Sequence, residues 1–282
     1  EIIQTYPKTK YAEYSANLLL DMFNMRKDYV GLEKAAAELL AVPSIATSQV
    51  GKDIKNVMEK ANFKKGQDLE GEKKFAESAQ SYEKFSKSNS NSELASTAIF
   101  NAGVNYERAG MIGAAILMYN QLLQSRDPKA EANKPKARRL LAKLYQDTGQ
   151  FEEAARLFKL AAADNPKDPL AKNYIYNTAV LNEALGRPDQ AIRSYEEFIK
   201  MAKKRSETSE ALYSVATLHR KENHVSLAID KYKEYLDSGA NNNEKVIESY
   251  YWISELHRKK RQISESEAWA KAEKARIPTA KE

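Results

Sequence analysis

The phrase LHRK occurs twice, at residues 218–221 and 256–259, and each copy is followed by an aliphatic residue and a serine (Val225-Ser226, Ile263-Ser264). Histidine beside arginine and lysine is the residue set of an acid–base site or an anion-binding one. His219 and His257, thirty-eight residues apart, are either paired chemical sites or one structural position visited twice by a repeating fold. Other groups with chemical potential are few. Carboxylate pairs occur at Glu152-Glu153 and Glu196-Glu197, on the charged stripes of helix-like segments, where solvated faces are the ordinary outcome. The chain has three histidines and no cysteine, which excludes disulfides, thiolate metal sites and cysteine nucleophiles together. Glycine-rich phosphate loops, HExxH, GxSxG and calcium-loop patterns are missing from the sequence. An enzyme is therefore not expected, nor a cofactor or a metal. Two histidines one repeat apart cannot share an ion whose ligands lie ~2 Å from it.

The elements that carry these residues follow from a search for self-similarity. Tyr82, Tyr119, Phe158, Tyr195 and Tyr232 recur at steps of 37, 39, 37 and 37 residues. Four residues before each stands a small one: Ser78, Ala115, Ala154, Ala191 and Ala228. Twelve residues before those stands another: Gly66, Gly103, Ala142, Ala179 and Ala216. A sixth unit continues with Ser254 and Ser266, but Ala270 takes the aromatic place. Small residues at fixed spacing mark two helices that cross too closely for larger side chains. Gly110, Gly149 and Gly186 each follow a helical stretch, where a left-handed C-cap residue is wanted. "DNPKDP" and "SRDPKAEANKP" close their units with proline, which a helix interior does not accept.

This pattern resembles the tetratricopeptide repeat family, whose units read Trp-x2-Leu-Gly-x2-Tyr, then Ala-x3-Phe, then Pro. The clearest match is "LLAKLYQDTGQFEEAARLFKLAAADNP", with Ala142, Tyr145, Gly149, Ala154, Phe158 and Pro166 in place. The resemblance implies an all-α fold, a right-handed superhelical solenoid of antiparallel helix pairs with six to seven repeats of 37–39 residues. Residues 1–41 read as a weaker N-terminal repeat, 42–52 as an irregular joint, 53–275 as six helix pairs and 276–282 as a tail. His219 and His257 fall where Tyr106 and Tyr145 stand in earlier units, so LHRK reads as a repeat signature with packing histidines. The weak sixth unit reads as a polar cap, which a solenoid needs for solubility.

Such solenoids bind along the surface lined by the first helix of each unit. The family reaches this groove with side chains three before, six before and one after the first small residue. The first of these columns reads Phe63, Phe100, Arg139, Tyr176, Tyr213 and Tyr251, five aromatics in six places from a chain of 9% aromatic content. It is either a packing column or a ladder of rings for a ligand. Where the ladder breaks, Lys136, Arg139 and Lys143 lie at i, i+3 and i+7, one helical stripe; it is either a solvated basic face or a spot that would hold a carboxylate or phosphate. Chaperone-binding relatives clamp a C-terminal carboxylate with Lys, Asn and Arg. The column here (Gln67, Val104, Lys143, Val180, Thr217, Glu255) has no Asn, so that clamp is not expected.

Bulk properties fit a folded, well-solvated protein and argue against turn-rich β architectures. Gly and Pro together number only 18, 30% of residues are charged, and the net charge of +6 is spread among interleaved signs. The basic runs 201–205 and 257–261 sit at different unit positions among acidic residues, so nucleic acid ranks low. No apolar run approaches the roughly 18 residues of a membrane span. The chain opens without Met inside a pattern already under way and reads as a piece of a longer protein. Its entry, "TYPKTKYAEYSA", is similar in texture to extracytoplasmic bacterial tetratricopeptide proteins of envelope assembly and gliding motility, a lean towards the periplasm of a Gram-negative cell. The expected function is a non-enzymatic scaffold binding a protein or peptide, one with an acidic group included. Glycan or peptidoglycan binding through the groove aromatics is the alternative, and self-assembly the weaker one.

Overall fold

The computed structural model describes residues 2–6 and 9–277. Most of the expected tail, 278–282, lies outside the described residues, as do Pro7 and Lys8 of the entry motif. Among the described residues the secondary structure is helical, with no strand. The all-α, helix-pair architecture expected from the repeat is what the chain adopts. The chain forms two compact units, residues 1–137 and 138–282.

The first unit runs α1 (Ile2–Thr5), α2 (Lys10–Met25), α3 (Tyr29–Leu40), α4 (Pro43–Ala46), α5 (Gln49–Gly71), α6 (Phe75–Ser88), α7 (Ala95–Arg108) and α8 (Ile112–Gln124). Helix α9 (Lys134–Asp147) leads into the second unit, which continues with α10 (Phe151–Asp164), α11 (Ala171–Ala184), α12 (Pro188–Met201), α13 (Ser209–Lys221), α14 (Val225–Asp237), α15 (Asn243–Lys259) and α16 (Ile263–Lys274). Within each unit successive helices pack on one another, α5 through α8 in the first and α10 through α16 in the second. The stretch read as an irregular joint is mostly helical. Pro43 occupies the first turn of α4, where its missing N–H costs nothing, and the Ser48 hydroxyl caps α5 by accepting from the Gly51 amide. Proline and serine there start helices rather than break them.

One turn closes every helix pair. The carbonyl of the residue three past the first small position accepts the amide five residues on: Met111 to Tyr106 (2.9 Å), Gln150 to Tyr145 (2.8 Å), Arg187 to Asn182 (2.9 Å), His224 to His219 (2.8 Å) and Gln262 to His257 (2.9 Å). This is the Schellman arrangement, and it needs a left-handed residue just before the donor. Gly110, Gly149 and Gly186 supply it, as their placement predicts, with φ of 74°, 76° and 67°. At the corresponding turns Lys27, Lys73, Asn223 and Arg261 adopt the same conformation without glycine's freedom, with φ between 55° and 62°.

The small residues act as expected. A β-carbon on Gly66 would come within 2.8 Å of the Tyr82 ring, and one on Gly103 within 2.5 Å of Tyr119. The Ser78 hydroxyl donates to the Gly66 carbonyl at 2.8 Å, across the same crossing. Ser254 repeats the device in the last pair, donating to the Ser266 carbonyl at 2.8 Å. Tyr82, Tyr119, Tyr195 and Tyr232 are buried between the helices of their own pairs. Each such side chain contributes roughly 1.5–3 kcal/mol of burial.

Candidate partner-binding face

The aromatic column of the first helices turns inward. Phe63 meets Tyr82 edge-on at 5.2 Å and Phe85 at 5.5 Å, and only 9% of it is exposed. Phe100 lies 6.1 Å from Tyr119. In the second unit Tyr176 contacts Tyr195 (5.7 Å) and Phe198 (5.1 Å), and Tyr213 contacts Tyr232 (5.9 Å) and Tyr235 (5.3 Å). The rule is uniform: each ring meets the aromatic nineteen residues later on the second helix of its own pair. Phe63 belongs to the core, and Phe100, Tyr176 and Tyr213 are half-buried. Tyr251 is different. Its counterpart nineteen residues on is Ala270, so no ring draws it in; it stands 43% exposed beside Trp252, at 4.9 Å.

In the second unit the half-buried rings belong to a laterally tied face. The Tyr213 hydroxyl of α13 donates to Glu248 of α15, and the Lys245 ammonium of α15 pairs with Glu210 of α13 while standing 5.0 Å from the Tyr213 ring. Lys172 of α11 pairs with Glu207 at 2.5 Å, which holds the Glu207 carboxyl below its ordinary value. Burial first, and the Glu248 carboxylate next, push the Tyr213 phenol above its usual range. Tyr176 is raised by burial and then by Glu210. Val180 adds an exposed apolar side chain to α11. This face offers half-buried rings, paired charges and an apolar spot, the mixture that suits a polypeptide.

These helices carry the sequence signature that family models detect. Two tetratricopeptide repeat models match the chain, one over residues 107–173 and one over 176–243. The chain belongs to the tetratricopeptide repeat superfamily. A chain of the Naa15/Naa10 complex bound to HypK-THB has the same fold, with a TM-score of 0.58 over 94% of this chain and 37% of that one, at 17% identity. Other similar solved structures are MamA (TM-score 0.45, 19% identity, 67% of this chain and 98% of that one) and YrrB, described as a tetratricopeptide protein with an unusual peptide-binding site (TM-score 0.46, 11% identity, 69% and 92%). No curated protein matches the sequence.

The other expected site residues of this tetratricopeptide protein fall as follows. Lys136 is exposed in the first unit. In the second, Lys143 is exposed, but Arg139 is half-buried and paired with Asp168 at 3.4 Å, so its charge is already partly answered. His219 and His257 are buried, 7% exposed each. Their ring Nδ1 atoms turn to the residue five on, His224 at 3.4 Å and Gln262 at 2.9 Å. Burial, and then His224, hold the His219 imidazole below its ordinary value. The second-helix side has features the sequence did not announce. A cleft of about 510 Å³ lies between α10 and α12, with Thr178 and Asn182 of α11 among its lining residues. No helix among the described residues is long and apolar enough to cross a membrane.

Proposed function

We propose that this chain is a non-enzymatic scaffold that holds a protein or peptide partner along the first-helix face of residues 138–282, within a bacterial envelope complex. The observation that carries the reading is Tyr251. A ring at a register position that elsewhere packs inward is left outward here, next to Trp252 and on the tied face of α11, α13 and α15. Exposed aromatics in such settings anchor partners. The family's interaction role supports the general reading, and the texture of the entry motif supports the envelope setting. Sugar stacking is less favoured, because Phe63, Phe100, Tyr176 and Tyr213 already pack on the aromatics of their own helix pairs.

A photo-crosslinking residue at position 251 tests the face, with the same residue at Lys159, in the second-helix cleft, as control. A partner crosslinked from 251 and not from 159 is expected. Crosslinking from 159 alone would move function to the cleft. Fractionation of source cells tests the setting separately: recovery in the cytosol would overturn the envelope assignment and leave the scaffold untouched.

A further inference from the structure

Packing explains the histidine of the repeated LHRK phrase but not its arginine. The column four residues past the first small position reads Glu70, Glu107, Gln146, Glu183, Arg220 and Arg258. At two of its acidic positions it serves the buried phenol twelve residues on: Tyr119 donates to Glu107 at 3.2 Å and Tyr195 to Glu183 at 2.8 Å, whereas Glu70 pairs with Arg108. At Arg220 the polarity reverses, and its Nε donates to the Tyr232 hydroxyl at 3.4 Å. A glutamate would have served Tyr232 as Glu183 serves Tyr195, so the phenol does not require the cation.

Arg220 is also held from the next repeat. Its guanidinium carbon lies 3.7 Å from the centre of the Trp252 ring, and Trp252 in turn meets Tyr251 edge-on. Arg258, one repeat later, folds back onto Glu255 at 2.5 Å instead. Four carboxylates of α11, α13 and α15 are engaged elsewhere: Glu183 with Tyr195, Glu210 with Lys245, Glu248 with Tyr213 and Glu255 with Arg258. Among the described residues no carboxylate pairs with Arg220. A guanidinium fixed by an aromatic face and by a bond at Nε keeps its two terminal amino groups as a preset fork, the geometry that fits a planar oxyanion.

We infer that Arg220, on its Trp252 platform, is a receptor for the carboxylate of an Asp or Glu side chain in the partner segment, with Tyr251 as its apolar flank. The inference rests on the first-helix-face reading and sharpens it to acidic segments. It lies outside the column in which relatives carry their C-terminal clamp.

The test uses short peptides, N-acetylated and C-amidated, with Glu at alternate positions, and their Gln counterparts. Binding is read by the emission of Trp252 in a Trp269→Phe background. The variants are Arg220→Gln and Arg220→Glu, residue types already carried at this register by Gln146 and Glu183; circular dichroism checks that they fold. The Glu peptide is expected to bind at least about tenfold more tightly than the Gln peptide, the worth of one charge-assisted pair. Both Arg220 variants should abolish that preference, and Arg258→Gln should keep it. Failure of the Glu peptide to bind, equal binding of the two peptides, or a preference that survives in folded Arg220 variants would each overturn the receptor. Tighter binding by a Gln peptide with a free C-terminus would assign the carboxylate to a chain end and overturn the side-chain source. If the Tyr251 crosslink persists in Arg220→Glu, the receptor falls and the face stands. If the peptide preference holds but no crosslink forms at 251, the face reading falls alone.

Discussion

Tyr213 and Tyr232, nineteen residues apart on α13 and α14, meet edge-on with ring centres 5.9 Å apart. The same spacing joins Phe63 to Tyr82, Phe100 to Tyr119 and Tyr176 to Tyr195. Of the two readings the sequence leaves open for this column, packing and a ligand ladder, these contacts are those of a brace between the two helices of a pair.

The brace separates two substitutions of one residue type. Tyr213→Ala should cost about 2–3 kcal/mol of stability, less than the roughly 3–5 of a fully buried ring because Tyr213 is only half-buried. Tyr251→Ala, with no ring on the second helix to leave and its side chain exposed, should change stability by under about 0.5 kcal/mol. Urea unfolding of both variants beside the wild type checks this; equal losses would mean that Tyr251 is braced too.

Close crossings make glycine positions unequal. Gly103→Ala drives a β-carbon against the buried Tyr119 ring, and the overpacking, about 1–3 kcal/mol, should exceed the gain in helix propensity of about 1 kcal/mol or less. Gly113, within α8, has open space where its β-carbon would stand, so Gly113→Ala should stabilise by about 0.5–1 kcal/mol. Opposite shifts in the thermal midpoint are the expected result.

Left-handed turns give a second contrast. Gly149→Ala meets no atom yet forces φ near 76°, and should cost about 1 kcal/mol from the backbone alone. Lys73→Gly relieves the same conformation at φ 60° and should stabilise by several tenths of a kcal/mol. Chemical denaturation of the two variants reads both signs.

Stability should fall on mild acidification, and His219 should account for part of the fall. Its folded value is lowered by burial and by His224, with Lys231 of α14 adding to the shift and Glu196 of α12 opposing it. Below about pH 6.5 the unfolded chain takes up a proton that the folded chain does not. The contribution is therefore neutral above that pH and destabilising as pH drops through it towards the folded value. His219→Leu, which copies Leu69 of the same register, should flatten the urea midpoint between pH 7.5 and 5.5. An unchanged slope would place the titration elsewhere.

The sequence by itself determined the helix pairs, their register and their turns. Gly66, Gly103 and the alanines after them are set by contacts within one repeat, between residues twelve to sixteen apart, and such contacts recur wherever the spacing recurs. Periodicity therefore exposes them, as it does Gly110, Gly149 and Gly186 at the turns. In the stretch 42–52, Pro43 and Ser48 carry the same letters whether they end a helix or begin one; the backbone they enter decides, and here they begin α4 and α5. Only the tertiary structure decided which side of the aromatic column faces out. Phe63 and Tyr251 are equivalent by spacing, yet one is core and the other exposed, since burial depends on what stands nineteen residues later on a neighbouring helix. It also decided the meaning of LHRK. Histidine and arginine adjacent in sequence point a helical step of roughly 100° apart, so His219 is buried and Arg220 reaches Trp252 of the next repeat. Contacts between successive repeats depend on how the helices stack, and stacking leaves no local signature in the chain.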